Sequence, residues 1–524
     1  MRRGFYLWIS LIACLVLASI VTGFQKKSKA NLPNVLLAIS DDQSYPHASA
    51  YGSGAVHTPG FDRIAREGIL FNNAFSAAPG CSPSRASLLT GRHIWELEDA
   101  GSHASYFPSK FLAYTSIMGS NGYLVGYTGK GWGPGNWQDS GWKTNPAGRA
   151  YNELTDPMVP DHIRNTDYFE NFKLFLEDRK RNQPFCFWYG ASEPHRRYKK
   201  GIGEDSGMHV DQVDVPGFLP DVASVRSDIL DYMYEIQHFD THLNKMLEYL
   251  EEIGELDNTL VIVTSDNGMP FPRAKANLYE YGFHMPLAIR WGDVISPGRK
   301  IDDLISLTDI APTLMDILET RVDSEISIID KMTGRSFLDI LLSDKSGLLE
   351  PSRDEVFSGR ERHSCSRWQN LSYPVRALRT HEFLYIKNFK PERWPAGAPV
   401  KYNDRMEFEP GFHDIDDFQE SYIYKHRNID SVKYYFDLAV AKRPMEELFD
   451  IQRDPYCLDN LSAMPEYQEI LVRFRKRLDS RLKETADPRV TGNGEIWESY
   501  RRFNVMRSFP EPDWDSGNWK IENK

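Results

Sequence analysis

The chain has 524 residues, with 62 Lys+Arg against 74 Asp+Glu, a net charge of −12 and five cysteines. Apolar residues at 41% and charged residues at 26% are globular proportions, which exclude a disordered or collagen-like chain. The acidic balance lacks the basic footprint of a nucleic-acid binder, and five cysteines are too few for a disulfide scaffold; their odd number points to one with another task.

Met1 to Arg3 is basic, Gly4 to Thr22 is apolar, and lysines follow from Lys26, which is the pattern of an export signal. Cleavage after Gly23 is expected, so residues 1–23 form a signal peptide and the mature protein is periplasmic or secreted. A retained anchor, or lipidation at Cys14, are the alternative readings. Loss of Arg2 and Arg3 takes the charge from −12 to −14. Membrane contact is expected only through this segment.

Asn34-Val35-Leu36-Leu37-Ala38-Ile39 reads as a buried strand ending in Ser40-Asp41-Asp42. Three more apolar runs end in polar clusters: Tyr123–Tyr127 before Lys130, Phe185–Tyr189 before Glu193-Pro194-His195, and Leu260–Thr264 before Ser265-Asp266-Asn267-Gly268. Helical periodicity covers 59–68, 84–90, 168–180 and 225–252. Strands alternating with helices predict an α/β fold, a large, mostly parallel sheet flanked by helices, with the four polar clusters gathered at the strands' carboxyl ends. From about Pro351 the sequence turns irregular, aromatic and charged, with short strands at 375–380, 383–389 and 447–451 and a helix over 466–484. The expected division is a catalytic domain over 31–350 and a smaller α+β subdomain over 351–524.

Cys81-Ser82-Pro83-Ser84-Arg85, continuing to Gly91-Arg92, places a cysteine, a first-turn proline and an arginine at the head of a helix. This run resembles the signature of the formylglycine-dependent sulfatases, and the resemblance extends from Asn34 to about Leu461. It implies an alkaline-phosphatase-like sheet and an enzyme that hydrolyses a sulfate ester or N-sulfate on a saccharide. It implies also that a formylglycine-generating or anaerobic sulfatase-maturating enzyme converts Cys81 to formylglycine, whose hydrate is the nucleophile. Asp41, Asp42, Asp266 and Asn267 offer only oxygen ligands, which suit a hard cation. The resemblance specifies Ca²⁺, with Cys81 completing the set.

By the same resemblance, Arg85 orients residue 81, Lys130 grips the sulfate, and His195 and Lys275 bind sulfate and protonate the leaving group. Neighbouring cations are expected to depress the lysine and imidazole pKa values. Where the family has Gly-Lys-x-His, this chain has Gly129-Lys130-Gly131-Trp132; His93 or His103 are the candidates to replace that histidine. The stretches Thr264–Pro272, Asn277-Leu278-Tyr279 and Glu447–Asp450, with Asp454-Pro455 and Asp459-Asn460-Leu461, are similar to the N-sulfoglucosamine sulfohydrolase (heparan N-sulfatase) subgroup. Arg360, Glu361 and His363, with Arg362, are expected to line the pocket and read sugar groups. The rival readings are an O-sulfatase on another sulfated glycan, a phosphatase or phosphonate hydrolase of the superfamily, and a non-catalytic sulfated-glycan binder with Cys81 unmodified. Cys186, Cys365 and Cys457 are expected to be mostly free and buried.

Overall fold

The computed structural model describes residues 32–319 and 332–514, so the expected signal peptide lies outside the described residues. Its first sheet contains β1 (Asn34–Ser40), β2 (Ile69–Phe75), β3 (Leu124–Gly129), β4 (Arg149–Ala150), β5 (Phe185–Gly190), β6 (Thr259–Ser265), β7 (His284–Arg290), β8 (Arg299–Ile301) and β9 (Ile305–Ser306). The order is β4-β3-β5-β1-β6-β7-β2-β8, with β9 also on β2. The apolar strings β1, β5 and β6 are buried along their whole length, as central parallel strands must be when helices cover both faces.

Helices α1 (Pro59–Glu67), α2 (Cys81–Thr90), α3 (Tyr168–Glu177), α4 (Ala223–Glu252) and α5 (Ile310–Glu319) flank this sheet. Leu243, Met246, Leu247 and Leu250 of α4 pack with Phe172 and Phe175 of α3 on one face, against Leu36, Phe187 and Val261. Leu88, Leu89, Leu314 and Met315 of α2 and α5 cover the other, against Leu37, Ile262 and Leu287.

β7 is the one strand of the nine that runs against its neighbours β6 and β2. The chain leaves β6 at the carboxyl edge and returns through residues 266–283 with no crossover helix, so it can only re-enter antiparallel. Neither β2 nor β7 stands out as a sequence run. Pro286 lies inside β7, where a proline normally argues against a strand, and Asn72 and Asn73 form an irregularity in β2 that breaks its apolar pattern.

A second, antiparallel sheet joins β10 (Val356–Arg360), β11 (Val375–Arg379), β12 (Phe383–Asn388) and β13 (Glu446–Asp450), close to the expected short strands. Helix α6 (Gln468–Glu484) covers it through Leu471, Phe474, Leu478 and Leu482. Phe75, Leu278 and Phe283 of the first sheet's edge share a core with Val356, Val375 and Ile386. Cys81, Cys186, Cys365 and Cys457 are all free and buried, matching the sparse-cysteine reading.

Burial pushes His47, His93 and His363 down from 6.5 to about 3. Arg481 Nη2 donates to His93 Nε2 at 3.3 Å, which only a neutral imidazole accepts. Below pH 6.5 the unfolded chain takes up protons that the folded chain refuses, so stability falls with acidification through the window from 6.5 toward 3. Each such histidine costs about 2 kcal/mol at pH 5. Thermal melts at pH 7.5 and 5 are expected to show this loss, and His93→Gln to reduce the difference between them; an unaltered difference contradicts it.

Candidate active site

Register brings the site together. Ser40 of β1 pairs with Ser265 of β6, so Asp41-Asp42 and Asp266-Asn267 leave adjacent strands side by side. Ile39 pairs with Gly190 and Gly190 with Gly129, and the Lys130 amide donates to the Gly190 carbonyl at 2.6 Å. The Asp41 amide donates to the Glu193 carbonyl at 2.9 Å, which brings Glu193-Pro194-His195 to the same edge. All four polar clusters therefore meet where the sequence expects them.

Cys81 opens α2 itself rather than preceding it, with Pro83 in the first turn and Gly91 ending the helix at φ 64°. Every residue of α2 is buried. The Ala276 amide donates to the Pro79 carbonyl at 2.8 Å, tying the Lys275 loop to the head of this helix.

The Cys81 thiol donates to Asp41 Oδ1 at 3.3 Å. Burial, then Asp41, push this thiol well above its ordinary pKa, the opposite of a thiolate nucleophile. Arg85, fully buried, donates from Nε to Asp266 Oδ2 at 2.7 Å and from Nη1 to the Lys130 carbonyl at 2.8 Å. Lys130 Nζ donates to Asp41 Oδ2 at 2.6 Å, and Lys275 Nζ to Asp42 Oδ2 at 2.6 Å. His195 Nε2 lies 3.9 Å from Asp42 Oδ2, and its Nδ1 is 2.7 Å from the Arg196 carbonyl.

Three carboxylates around one point set the electrostatics. Burial pushes Asp266 up to about 6 against the pull of Arg85. Burial also opposes charge on Asp41, yet Lys130, His195 and Arg85 outweigh it and hold that carboxyl well below its usual range. The expected depression of the lysines is corrected. Burial does favour their neutral forms, but Asp416 and Asp42 hold Lys275 well above the normal value, and Asp41 raises Lys130. The nearest partners are carboxylates, so each lysine acts as a fixed positive charge.

One oxygen from each of Asp41, Asp42 and Asp266, with Cys81 Sγ, falls within 4.8 Å of the others. Asn267 Nδ2 donates to Asp42 Oδ1 at 2.7 Å, which fixes the amide and leaves Oδ1 buried without a partner. A crowded set of hard oxygen donors with one spare acceptor fits a divalent cation such as Ca²⁺.

Asp416 carries no sequence signal, since it lies in the irregular run His413–Asp417. It accepts from Lys275 Nζ at 2.9 Å, and a carboxylate oxygen lies with one from Asp42 and a His195 nitrogen within a 4.8 Å group.

The run from Arg360 to His363 is not a solvated charge run: its four residues are buried and line a small space beside Pro79, Gly80 and Pro83 at the head of α2. Arg360 is buried, donates to the Ala276 carbonyl, and pairs with Asp414 at 2.6 Å. Glu361 is buried between Arg376 at 2.8 Å and Arg489 at 2.7 Å, and Arg362 donates to the Tyr500 carbonyl. The Arg360 and Glu361 charges are neutralised by partners from elsewhere in the sequence, which makes their burial tolerable. His363 packs on His103 with ring centroids 4.8 Å apart, behind Gly80.

Trp132 stands where the family histidine was expected, and its buried indole donates to the Ser82 carbonyl at 3.0 Å. His103 is near enough for Lys275 and Lys130 to depress it further after burial and His363, while His93 is taken up by Trp95 and Arg481.

Residues 33–320 match the family model described as Sulfatase, and residues 273–390 match one described as N-sulphoglucosamine sulphohydrolase, C-terminal. The chain is 30% identical to the N-sulphoglucosamine sulphohydrolase of Homo sapiens, covering 90% of this chain and 94% of that protein. It is 26% identical to an ulvan-active sulfatase of Formosa agariphila, covering 93% and 82% respectively. A solved structure of a protein in complex with its substrate D-glucosamine-2-N,6-O-disulfate shares the fold, with a TM-score of 0.60 and 20% identity over 87% of this chain and 98% of that one.

Proposed function

The chain belongs to the sulfatase family, and from that premise we propose that it removes the N-linked sulfate of a glucosamine unit in a sulfated glycan. The observation that carries a sulfuryl-transfer reading is the ring of Asp41, Asp42, Asp266 and Asn267 around Cys81, bracketed by Arg85, Lys130 and Lys275. Preference for the N-linked sulfate rests on the relative of Homo sapiens and on the second family match.

In this reading Cys81 is matured to formylglycine by a maturation enzyme, and Asp41, Asp42, Asp266, Asn267 and residue 81 hold Ca²⁺; together these supply an oxygen nucleophile and positive charge for the sulfate oxygens. Lys130 and Lys275 bind the sulfate from two sides, each kept cationic by its carboxylate, so that the charge growing during transfer meets fixed donors rather than reorganising water. Arg85 holds Asp266 and the loop after β3 in place and orients residue 81. His195 is the proton donor. Its Nδ1 is committed to the Arg196 carbonyl, so a second proton at Nε2 is the one delivered to the departing nitrogen or oxygen. Lys275, raised by Asp416 and Asp42, is a weaker acid and serves charge stabilisation. Export with loss of residues 1–23, and a catalytic unit over 31–350 with the subdomain 351–524 behind it, complete the proposal.

Two measurements test it. Mass spectrometry of the tryptic peptide carrying residue 81, from protein made in the native host, is expected to find the aldehyde; an unmodified thiol overturns the catalytic assignment. Sulfate release is expected from N-sulfoglucosamine and not from 6-O-sulfated glucosamine; release from the O-sulfated sugar alone overturns the N-sulfate assignment.

A further inference from the structure

A fourth carboxylate reaches the centre from far along the chain and stands outside the set gathered around Cys81. Lys275 Nζ donates to Asp416 at 2.9 Å as well as to Asp42 at 2.6 Å. An Asp416 oxygen, an Asp42 oxygen and a His195 nitrogen all lie within 4.8 Å of one another. Asp416 therefore stands beside the proton donor, where the departing atom of the substrate sits in the proposed reaction. A negative charge at this place opposes the binding of sulfate unless the substrate brings a donor to meet it.

Resting on the N-sulfate reading, we propose that Asp416 is the specificity-determining residue that tells a sulfamate from a sulfate ester, by accepting a hydrogen bond from the scissile N–H. The two substrates differ at that one position. The bridging nitrogen of a sulfamate carries a hydrogen and donates, whereas the bridging oxygen of an ester has only lone pairs, which an anionic acceptor repels. A site built to pair an N–H rejects the analogue that lacks it, because its own polar group is then left unpaired. The contact also strengthens during the reaction. As the sulfuryl group passes to the oxygen nucleophile, the S–N bond breaks with its electron pair left on nitrogen, and the proton of His195 Nε2 joins that nitrogen. The amine that leaves carries two N–H groups where the substrate had one, so the carboxylate favours the departing state over the bound one.

The structure leaves Asp416 open to this contact. Among the described residues Lys275 is its one hydrogen-bond donor, and a carboxylate has room for several. Its side chain is 29% exposed and lines a half-open cleft of about 780 Å³, whereas Asp42 is wholly buried. Burial opposes its charge, but Lys275 and then His195 outweigh burial and hold this carboxyl well below its usual range, so it accepts and does not donate. Its place is fixed beforehand. Asp414, two residues earlier, accepts from Arg360 and from Arg367 at 2.6 Å each, and Ile415 is buried in a core with Phe412 and Phe418.

The test compares N-sulfoglucosamine with glucose 2-O-sulfate, in which oxygen replaces the scissile nitrogen. kcat/KM for both is measured in matured wild type, Asp416→Ala and Asp416→Asn, and calorimetry measures the binding of both to Cys81→Ala protein with and without Asp416→Ala. Wild type is expected to prefer the sulfamate by about 100-fold, and Asp416→Ala to lower that ratio about 10- to 100-fold, the size of one hydrogen bond to a charged group. The loss is expected in kcat for the sulfamate, with the ester unchanged or improved. Asp416→Asn keeps the volume and a neutral acceptor, so it is expected to lower the ratio about three- to tenfold, and it decides the question if the alanine variant fails to fold. A merely structural role would not move the ratio, since a loosened Lys275 weakens the grip on a sulfate that both substrates share. Equal losses on both substrates overturn the role of Asp416 and leave the N-sulfate reading standing. Release from the ester alone, or from neither, overturns that reading; a calorimetric preference for the sulfamate that Asp416→Ala removes still supports the contact, and its absence overturns it.

Discussion

Cys81→Ala is expected to abolish sulfate release while leaving the protein folded. The thiol is wholly buried at the first position of α2, beside Asp41, in surroundings that push it well above its ordinary pKa. In that state the thiol is a poor nucleophile, and under the proposed function the nucleophile comes from the residue's conversion. Removing a nucleophile from a preorganised site costs about 10⁴- to 10⁶-fold in kcat, because the surrounding charges still bind substrate but have nothing to deliver. Loss of one sulfur atom from the core is a small truncation of about 1 kcal/mol, so the melting temperature should move little. Initial rates of sulfate release, measured on protein co-expressed with a maturation enzyme, check the first statement. Thermal melts check the second. Activity within tenfold of wild type would sink the assignment of residue 81.

Arg85→Ala is expected to lose both activity and stability, for a reason that lies in the electrostatics rather than in contact with substrate alone. Arg85 and Asp266 form a fully buried pair at 2.7 Å, and Asp266 is already raised to about 6 by burial with its partner present. Removing the guanidinium leaves a buried carboxylate uncompensated, which costs about 3–5 kcal/mol. The same change frees the carbonyls of Lys130 and Gly131, which Arg85 Nη1 holds, and so loosens Lys130. Arg85→Ala combined with Asp266→Asn should recover about 1–3 kcal/mol by neutralising the orphan, while activity stays lost because a carboxylate of the proposed cation site has gone. Denaturant unfolding of wild type, both single variants and the double variant measures the coupling. A single Arg85→Ala variant as stable as wild type would show that the pair contributes nothing.

Much of this site is legible before any coordinates. Continuous apolar strings ending in charged residues have one economical explanation, central parallel strands with their polar ends at a common edge, and β1, β3, β5 and β6 follow it within one or two residues. Cys-x-Pro-x-Arg needs only the rules for helix starts to place its cysteine at the head of α2. Other elements defeat local reading for stated reasons. β7 contains Pro286, whose missing N–H normally bars a central strand, and β2 is interrupted by Asn72 and Asn73 where its register shifts. Asp416 sits in an irregular acidic run with no periodicity to point it anywhere.

The run from Arg360 to His363 marks the boundary most clearly. Its charges read locally as a sugar-binding wall or a solvated face, and burial excludes the second: Glu361 meets Arg489 from 128 residues away and Arg360 meets Asp414 from 54 away. The sequence by itself determined the sheet's central strands, the gathering of the four polar clusters at their ends and the family. Only the tertiary structure decided which charges cancel, that carboxylates raise Lys130 and Lys275 instead of cations depressing them, and that a cleft opens beside His195. The physical reason is one of range. Apolar periodicity and helix capping are written within a few residues, whereas charge pairing and burial depend on groups that share no neighbourhood until the chain has folded.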